Sequence, residues 1–339
     1  MALTYSGVTR PGQNLQTGDN QQTGSAPAAT NPLELHIEEY GGVVEGTIAR
    51  KSIVRNFIPV RPVRGTSVVT NFQVGESALE KVVPGVEPAG AVHQAAKVKL
   101  VIDTLVNARA IVPLLDDFQS SYNARAAIGM EHGKKIAKFF DQSFLIQAIK
   151  AARISDMSTY PAGWLPGTEQ SFSASGDELD PAKLEAKFLD MFAEMEEKDI
   201  DPIGDDLIIV TKPKAYYTLL QNDRLVDRTF VTADGTEITT KSLKVAGVPI
   251  YTSNNLPTTN ISGHYLSNAG NGNAYDGNFT NVVASIFSPR ALLAGETIPL
   301  TPAVFYDEKS KMWFIDAHLS FGVGPNNPAF AGLLTAKSS

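Results

Sequence analysis

A chain of 339 residues, 43% hydrophobic and 19% charged, is ordinary globular material, long enough for one large or two modest cores. Its formal charge of -7 opposes whole-molecule attraction to nucleic acid or to an anionic membrane, so contact with DNA would need a local patch. Zero cysteines exclude disulfides, thiolate nucleophiles and every cysteine-containing zinc site, which leaves histidine and carboxylates as the only metal ligands.

The N-terminus, Met1-Ala2-Leu3-Thr4, lacks the apolar core of a secretory leader, and no apolar run is long enough to span a bilayer. A soluble protein made in a cytoplasm, with no membrane partner, is expected. Residues Pro11 to Asn31 carry Leu15 as their only large apolar side chain and Asp19 as their only charge, so nothing offsets the entropy of ordering them and they read as a flexible arm. Leu33 to Arg50 places Leu35, Tyr40, Val43, Val44 and Ile48 among glutamates around Gly41-Gly42 and reads as a broken amphipathic helix.

From Val60 to Val74 and from Lys97 to Val112 the pattern turns to period two. Val68, Thr70, Phe72 and Val74 share one face of the first run, and Val98, Leu100, Ile102, Thr104, Val106, Ala108, Ala110 and Val112 share one face of the second. With Pro84-Gly85 and Pro88 as turn signals between them, the two runs predict a hairpin whose arms are each about 50 Å long. A two-stranded ribbon is marginal in water. This one needs a surface to lie on, and a neighbouring subunit would supply it.

Leu115 to Arg153 is the longest periodic segment. Phe118, Tyr122, Ala126, Met130, Gly133, Ala137, Phe140, Phe144, Ala148 and Ala151 form one stripe at helical spacing, with Asp141, Gln142 and Lys150 among the polar residues mostly outside it. Asp116 and Asp117 stand where a cap belongs, and the helix would run about 57 Å. A second helix starts at Asp180 as cap with Pro181 in its first position and carries Leu184, Phe188, Met191 and Met195 as its stripe. Leu207 to Val210 is a short buried strand, Pro213 to Gln221 a short helix, Val248 to Tyr251 a strand, and Asn254 to Gly277 a loop. The last third is β: Val282 to Phe287, then Ala303 to Tyr306 joined through Asp307-Glu308-Lys309-Ser310 to Met312 through Leu319.

No catalytic constellation emerges. Gly129-Met-Glu-His-Gly133-Lys134-Lys135 is one residue short of a phosphate loop, lacks the following Ser or Thr, and lies inside a helical pattern. Close helix packing at Gly129 and Gly133 explains these glycines better. The histidines, His36, His93, His132, His264 and His318, are dispersed, and His36 with Glu38 and Glu39 is the only cluster, read as a solvated face. Glu194, Glu196, Glu197, Asp199, Asp201, Asp205 and Asp206 form an acidic run that suits a solvated helix end better than a cation site. No cofactor, metal or catalytic residue is expected.

One stretch reverses the sign of the chain: Arg50, Lys51, Arg55, Arg61 and Arg64 lie between Gly46 and Gly75 with no acid among them. Three readings stand: a solvated strand edge, contact with DNA, or docking on an acidic surface of an adjacent subunit. The third is favoured, with Glu194, Glu196 and Glu197 as partners.

The order of elements, arm, long hairpin, long helix, mixed α/β region and closing strands, resembles the major capsid proteins of tailed phages, the Hong Kong ninety-seven fold, and especially coats of short-tailed, T-seven-like phages. Three stretches carry the likeness: Tyr40-Gly41-Gly42-Val43 with Ile48-Ala49-Arg50, Val245 through Pro257, and Phe321-Gly322-Val323-Gly324 with Pro325, Pro328 and Ala331-Gly332, which is similar to the family's Gly-rich C-terminal turn but lacks its neighbouring Arg and Glu. The resemblance implies an α+β subunit with a flexible N-arm (1–49), an extended E-loop (50–112), a spine helix and peripheral domain (113–200), an axial domain (201–284) and C-terminal strands of the peripheral domain (285–339). It further implies hexamers and pentamers in an icosahedral virion capsid, assembled in the host cytoplasm, enclosing double-stranded DNA without sequence-specific binding, with scaffolding and portal proteins as partners. The rival readings are an encapsulin-like compartment shell and a metal-dependent enzyme built on the acidic run.

Overall fold

Where side chains alternate, this chain pairs into ribbons, and where apolar residues run together it builds a buried sheet. The computed structural model describes Val44 and residues 52–55, 57–77, 79–81, 85, 87, 90, 94–115, 124–222, 230–231, 237–238 and 243–337. The expected arm, the segment 33–50 apart from the buried Val44, and the start of the long helix at 116–123 lie outside the described residues.

In chain order the strands are β1 (Arg61–Pro62), β2 (Val68–Val74), β3 (Ala95–Val101), β4 (Val106–Pro113), β5 (Thr168–Ser171), β6 (Ile208–Thr211), β7 (Phe230–Val231), β8 (Glu237–Ile238), β9 (Lys244–Val245), β10 (Val248–Thr252), β11 (Asn260–Ile261), β12 (Gly277–Asn278), β13 (Val282–Phe287), β14 (Leu292–Asp307), β15 (Met312–Pro325) and β16 (Ala331–Thr335). The α-helices are α1 (Ala124–Ala152), α2 (Pro181–Glu196) and α3 (Pro213–Leu219). The chain divides into two units: residues 1–52, 103–140 and 296–321 in the first, and 53–102, 141–295 and 322–339 in the second.

The second unit is built on a six-stranded sheet of order β5-β16-β13-β6-β10-β9. Its central strands β16, β13 and β6 are buried at every position, which is why they read as apolar runs without alternation. β13 is antiparallel to both neighbours, whereas β10 runs parallel to β6 and β16 parallel to β5. The sheet therefore draws strands from the ranges 201–284 and 285–339 alike. At the β9/β10 turn Ala246 and Gly247 both take positive φ, the geometry that a tight two-residue hairpin demands.

Helix α2 packs on this sheet. The Asp180 side chain accepts from the Ala182 and Lys183 amides and Pro181 opens the helix, as the sequence predicts. The expected stripe, Leu184, Phe188, Met191 and Met195, is buried, and Phe192 joins it. Gly332 of β16 lies beneath: a Cβ there would come 2.9 Å from the Met191 sulfur. The core continues through Ile209, Ala284, Ile286 and Leu334 to Ala215, Tyr216 and Leu219 of α3.

In the first unit β4 pairs antiparallel with β15, from Val106 opposite Leu319 to Pro113 opposite Met312. Its residues alternate between half-buried and exposed, as period two predicts. Arg109 sits opposite Asp316 and donates to both carboxylate oxygens, at 2.7 and 2.6 Å, a bidentate fork. The turn between β14 and β15 is held by Asp307, whose carboxylate accepts from the Lys309 amide and the Ser310 hydroxyl. Both strands are longer than expected, because β14 already begins at Leu292 and β15 runs on to Pro325. The stretch Phe321 to Gly324 is therefore strand, and the expected C-terminal turn is displaced to the short 3-10 helix at Pro328–Phe330.

Two further expectations are corrected. The hairpin arms are not 15 to 16 residues long: β2 and β3 pair over seven residues each, from Val68 opposite Val101 to Val74 opposite Ala95, and the second run is interrupted at 102–105 before it resumes as β4. Alternation continues through that break, so periodicity alone cannot locate it. In α1 the stripe from Gly133 through Ala151 is buried, but Met130 is 46% exposed, and Asp141, Ser143 and Gln147 are buried although polar. From Phe140 to Ala152 the helix is covered almost all round, and its polar residues there act as internal hydrogen-bonding groups.

Candidate assembly surface

The β2/β3 ribbon has one seated face and one bare face. Direct pairs Val69/Leu100, Asn71/Val98 and Gln73/Ala96 form the seated side. Val69 and Ile102 join Val63 and Leu293 in a small apolar cluster, with Val98 and Leu100 packed against it. Beneath them the chain is paved with glycine. A Cβ on Gly295 would lie 2.4 Å from Val69 Cγ2, and one on Gly322 or Gly324 would lie 3.1 or 3.2 Å from Ile102 and Leu100 carbons. At the ribbon's polar edge Gln73 donates to the Asn326 carbonyl and Asn71 to the Asn326 side chain.

Val68, Thr70, Phe72 and Val74 do share one face of β2, but it is the other face that is seated: Val69 and Gln73 are 6% and 1% exposed. Phe72 and Val74 are left 71% and 57% exposed. Opposite them stand Lys97 and Ala95, with the Lys97 ammonium 5.2 Å from the centre of the Phe72 ring, and Val101 on the same side is 49% exposed. Lys99, opposite Thr70, is exposed on this side too, so the bare face groups apolar side chains with lysines, and such grouped apolar side chains left in water are an association site or a liability.

The end of the ribbon where the 75–94 connection joins β2 to β3 is tied down by the loop 155–166. The Gly75 amide donates to the Gln94 carbonyl, the Glu76 amide to the Ala162 carbonyl, and the Trp164 indole to the Val74 carbonyl. Tyr160 stacks on Trp164. A neighbouring subunit is thus not needed to seat the inner face of the ribbon or to hold its connection end; the same chain does both, and only the outer face lacks cover among the described residues.

Of the basic stem, Arg55, Arg61 and Arg64 are exposed, Arg61 opening β1; Arg50 and Lys51 lie outside the described residues. The side chains of Arg61 and Arg64 make no hydrogen bond or ion pair among the described residues. Glu196 and Glu197 are likewise exposed at the end of α2. Glu194 differs, because it is engaged within its own subunit: it accepts from Lys198 Nζ at 3.1 Å and from the Gln170 side chain at 2.7 Å. Lys198 also reaches the Thr168 hydroxyl and the carbonyls of Pro166 and Gly167, which locks the end of α2 to the start of β5.

The phosphate-loop lookalike lies wholly within α1, so its amides are spent on the helix. In the acidic run Asp205 pairs with Arg290 and accepts from the Asp201 amide. Among the described residues no group of three or more His, Asp or Glu side chains converges, and no helix is long and apolar enough to cross a membrane. His132 and His264 are buried, while His36 and His93 fall outside the described residues.

A family model, Gp10A-like major capsid protein, matches residues 72–297, from inside β2 to inside β14. The chain belongs to that family. It is a phage major capsid protein, a structural subunit of the shell. Solved capsids share its fold: that of cyanophage P-SCSP1u at TM-score 0.69 and 23% identity over 83% of this chain and 87% of that one. The mature capsid of bacteriophage PhiM1 matches at 0.69 and 20% identity over 85% and 88%, and Mycobacterium phage Che8 at 0.52 and 16% over 79% and 84%. No curated protein matches the chain.

For this capsid protein the residues that sequence reasoning missed are those that hold the ribbon: Gly295, Gly322, Gly324 and Asn326. A signal existed in the spacing of Gly322 and Gly324 on one side of a period-two run, but only a partner strand gives that spacing meaning. Gly129 and Gly133 of α1 are buried. Burial supports close packing there, and Gly133→Leu is expected to destabilise the subunit by about 1 to 3 kcal/mol through overpacking. Thermal melting checks this; a level or higher Tm would mean an open helix face.

Proposed function

We propose that this major capsid protein assembles as hexamers and pentamers into an icosahedral shell around double-stranded DNA, in the host cytoplasm, with scaffolding and portal proteins as partners and with no catalytic role. The chain divides for this purpose into the N-arm (1–49), the E-loop (50–112), the spine helix and peripheral domain (113–200), the axial domain (201–284) and the C-terminal strands (285–339). The observation that carries the reading is the ribbon's bare outer face, where Phe72, Val74 and Val101 are exposed on a strand pair whose other face is already seated. A subunit designed to stay alone would not leave that surface in water.

The exposed stem cations Arg55, Arg61 and Arg64, with Arg50 and Lys51, dock on the acidic end of α2 in the adjacent subunit. Glu196 and Glu197 are its outward partners, and Glu194 contributes field more than contact because Lys198 holds it. One exposed ion pair is worth about 0 to 1 kcal/mol, but around a closed ring each subunit is held on two sides and small contacts act together. Arg61→Glu with Arg64→Glu is therefore expected to leave helix content unchanged and raise the concentration at which shells form, most strongly at low salt. Negative-stain electron microscopy and sedimentation across a dilution series read this directly. A double variant that closes shells at the wild-type threshold in low salt removes the docking assignment, and wild-type protein that stays monomeric at every concentration and salt removes the shell reading itself. DNA rather than protein cargo inside the purified particles separates the phage shell from an encapsulin-like compartment.

A further inference from the structure

We propose that His264 is an acid-sensitive catch for the β2/β3 ribbon: protonating this one buried imidazole loosens the seat on which the ribbon lies. The geometry is a short chain of contacts inside the second unit. The His264 ring stacks on Tyr275 with centroids 5.2 Å apart and planes 16° from parallel. Its Nδ1 accepts the Leu266 amide at 3.3 Å, so the ring that fits this site is neutral at Nδ1. The Tyr275 hydroxyl both donates to the Val323 carbonyl and accepts from the Val323 amide, each at 2.8 Å. Val323 lies between Gly322 and Gly324, the two residues that floor the ribbon beneath Ile102 and Leu100. Imidazole, phenol, strand and ribbon are thus in series.

A proton on Nδ1 would point at the hydrogen of the Leu266 amide, and the ring must turn out of its stack to relieve two facing donors. The charged side chains nearby are already engaged in hydrogen bonds of their own. Asp276 is committed to the Gly263 and His264 amides and the Ser267 hydroxyl. Lys150 of α1 donates to the Ala274 carbonyl, and Arg153, just past the helix end, to the Asn278 carbonyl. β15 brings no charge to this contact, since Val323 is flanked by glycines. Burial holds the imidazole below its ordinary value near 6.5, with Asp276 acting in the opposite direction. A depressed histidine contributes its stabilisation fully above that ordinary value and loses it as pH falls below it, toward the lower folded one.

The test is hydrogen–deuterium exchange of the full-length protein at pH 7.5 and pH 5.5, corrected for intrinsic rates and read over 264–275 and over 95–101. In wild type both segments are expected to exchange several-fold faster at pH 5.5. In His264→Asn, whose side-chain oxygen replaces Nδ1 as acceptor and does not titrate, both segments should become indifferent to pH. In Tyr275→Phe the loop should still respond while the ribbon does not, because the bridge to Val323 is gone. A wild-type ribbon with pH-independent exchange overturns the proposal, as does a ribbon that still responds in either variant. Should His264→Asn fail to fold, wild type and Tyr275→Phe together still decide it.

Discussion

Asp141→Ala is expected to destabilise the subunit by about 3 kcal/mol or more, the largest effect of any single polar substitution described for it. Asp141 is 1% exposed, and its two oxygens accept the Ile53 amide at 3.2 Å, the Val54 amide at 3.3 Å and the Asn255 side chain at 3.1 Å. One carboxylate thereby joins α1, the turn that leads into the basic stem, and the loop after β10. Alanine leaves these donors without an acceptor in a place water reaches poorly, and each unmet donor costs roughly 1 to 3 kcal/mol. Asp141→Asn keeps one oxygen but turns an amide toward a backbone donor, so its loss should be intermediate. Chemical denaturation of dilute, unassembled subunits measures this without the added stability that assembly confers. If alanine and wild type share a midpoint, the carboxylate does not act as that joint.

Gly295→Val is expected to unseat the ribbon. A Cβ at this position already falls 2.4 Å from Val69 Cγ2, closer than a real carbon contact, and a tight 3.1 Å from Ile102 Cδ1, and valine adds two methyl groups to that overlap. Overpacking of this kind costs about 1 to 3 kcal/mol, and here the part that must move is the ribbon itself. Melting temperature should fall, exchange across 95–101 should rise, and shells should fail to close because the outer face is no longer presented in register. A milder Gly295→Ala combined with Val69→Ala, which removes the clashing methyl, should recover most of the loss. Equal stability of the alanine single and double variants would show that the contact at Val69 is not the cause. Gly324→Ala, which meets only the end of the Leu100 side chain at 3.2 Å, should be nearly silent by comparison.

Local rules written in neighbouring residues were legible without coordinates. Asp180 and Pro181 announce α2 because a cap and a fixed φ are properties of adjacent positions, and Leu184, Phe188, Met191 and Met195 mark its buried side because helical spacing is local. The runs that became β6 and β13, the Asp307 turn, and the order of elements behind the capsid likeness were read the same way. Tertiary structure decided what each surface meets. Phe72 and Val74 share one face of β2 by alternation, yet the seated face is the other, with Val69 over Gly295 and Gln73 on the Asn326 carbonyl, and a two-residue period carries no information on which face wins. The second hairpin run changes partner at 102–105 with no break in its alternation, because the exchange from β2 to β15 is set by residues some two hundred positions away. Asp141 sits in a helix as a polar residue like its neighbours, and only the arrival of Ile53, Val54 and Asn255 makes it internal. Spacing along a chain reports the shape of an element; burial of a given side chain depends on which distant backbone comes close enough to exclude water from it.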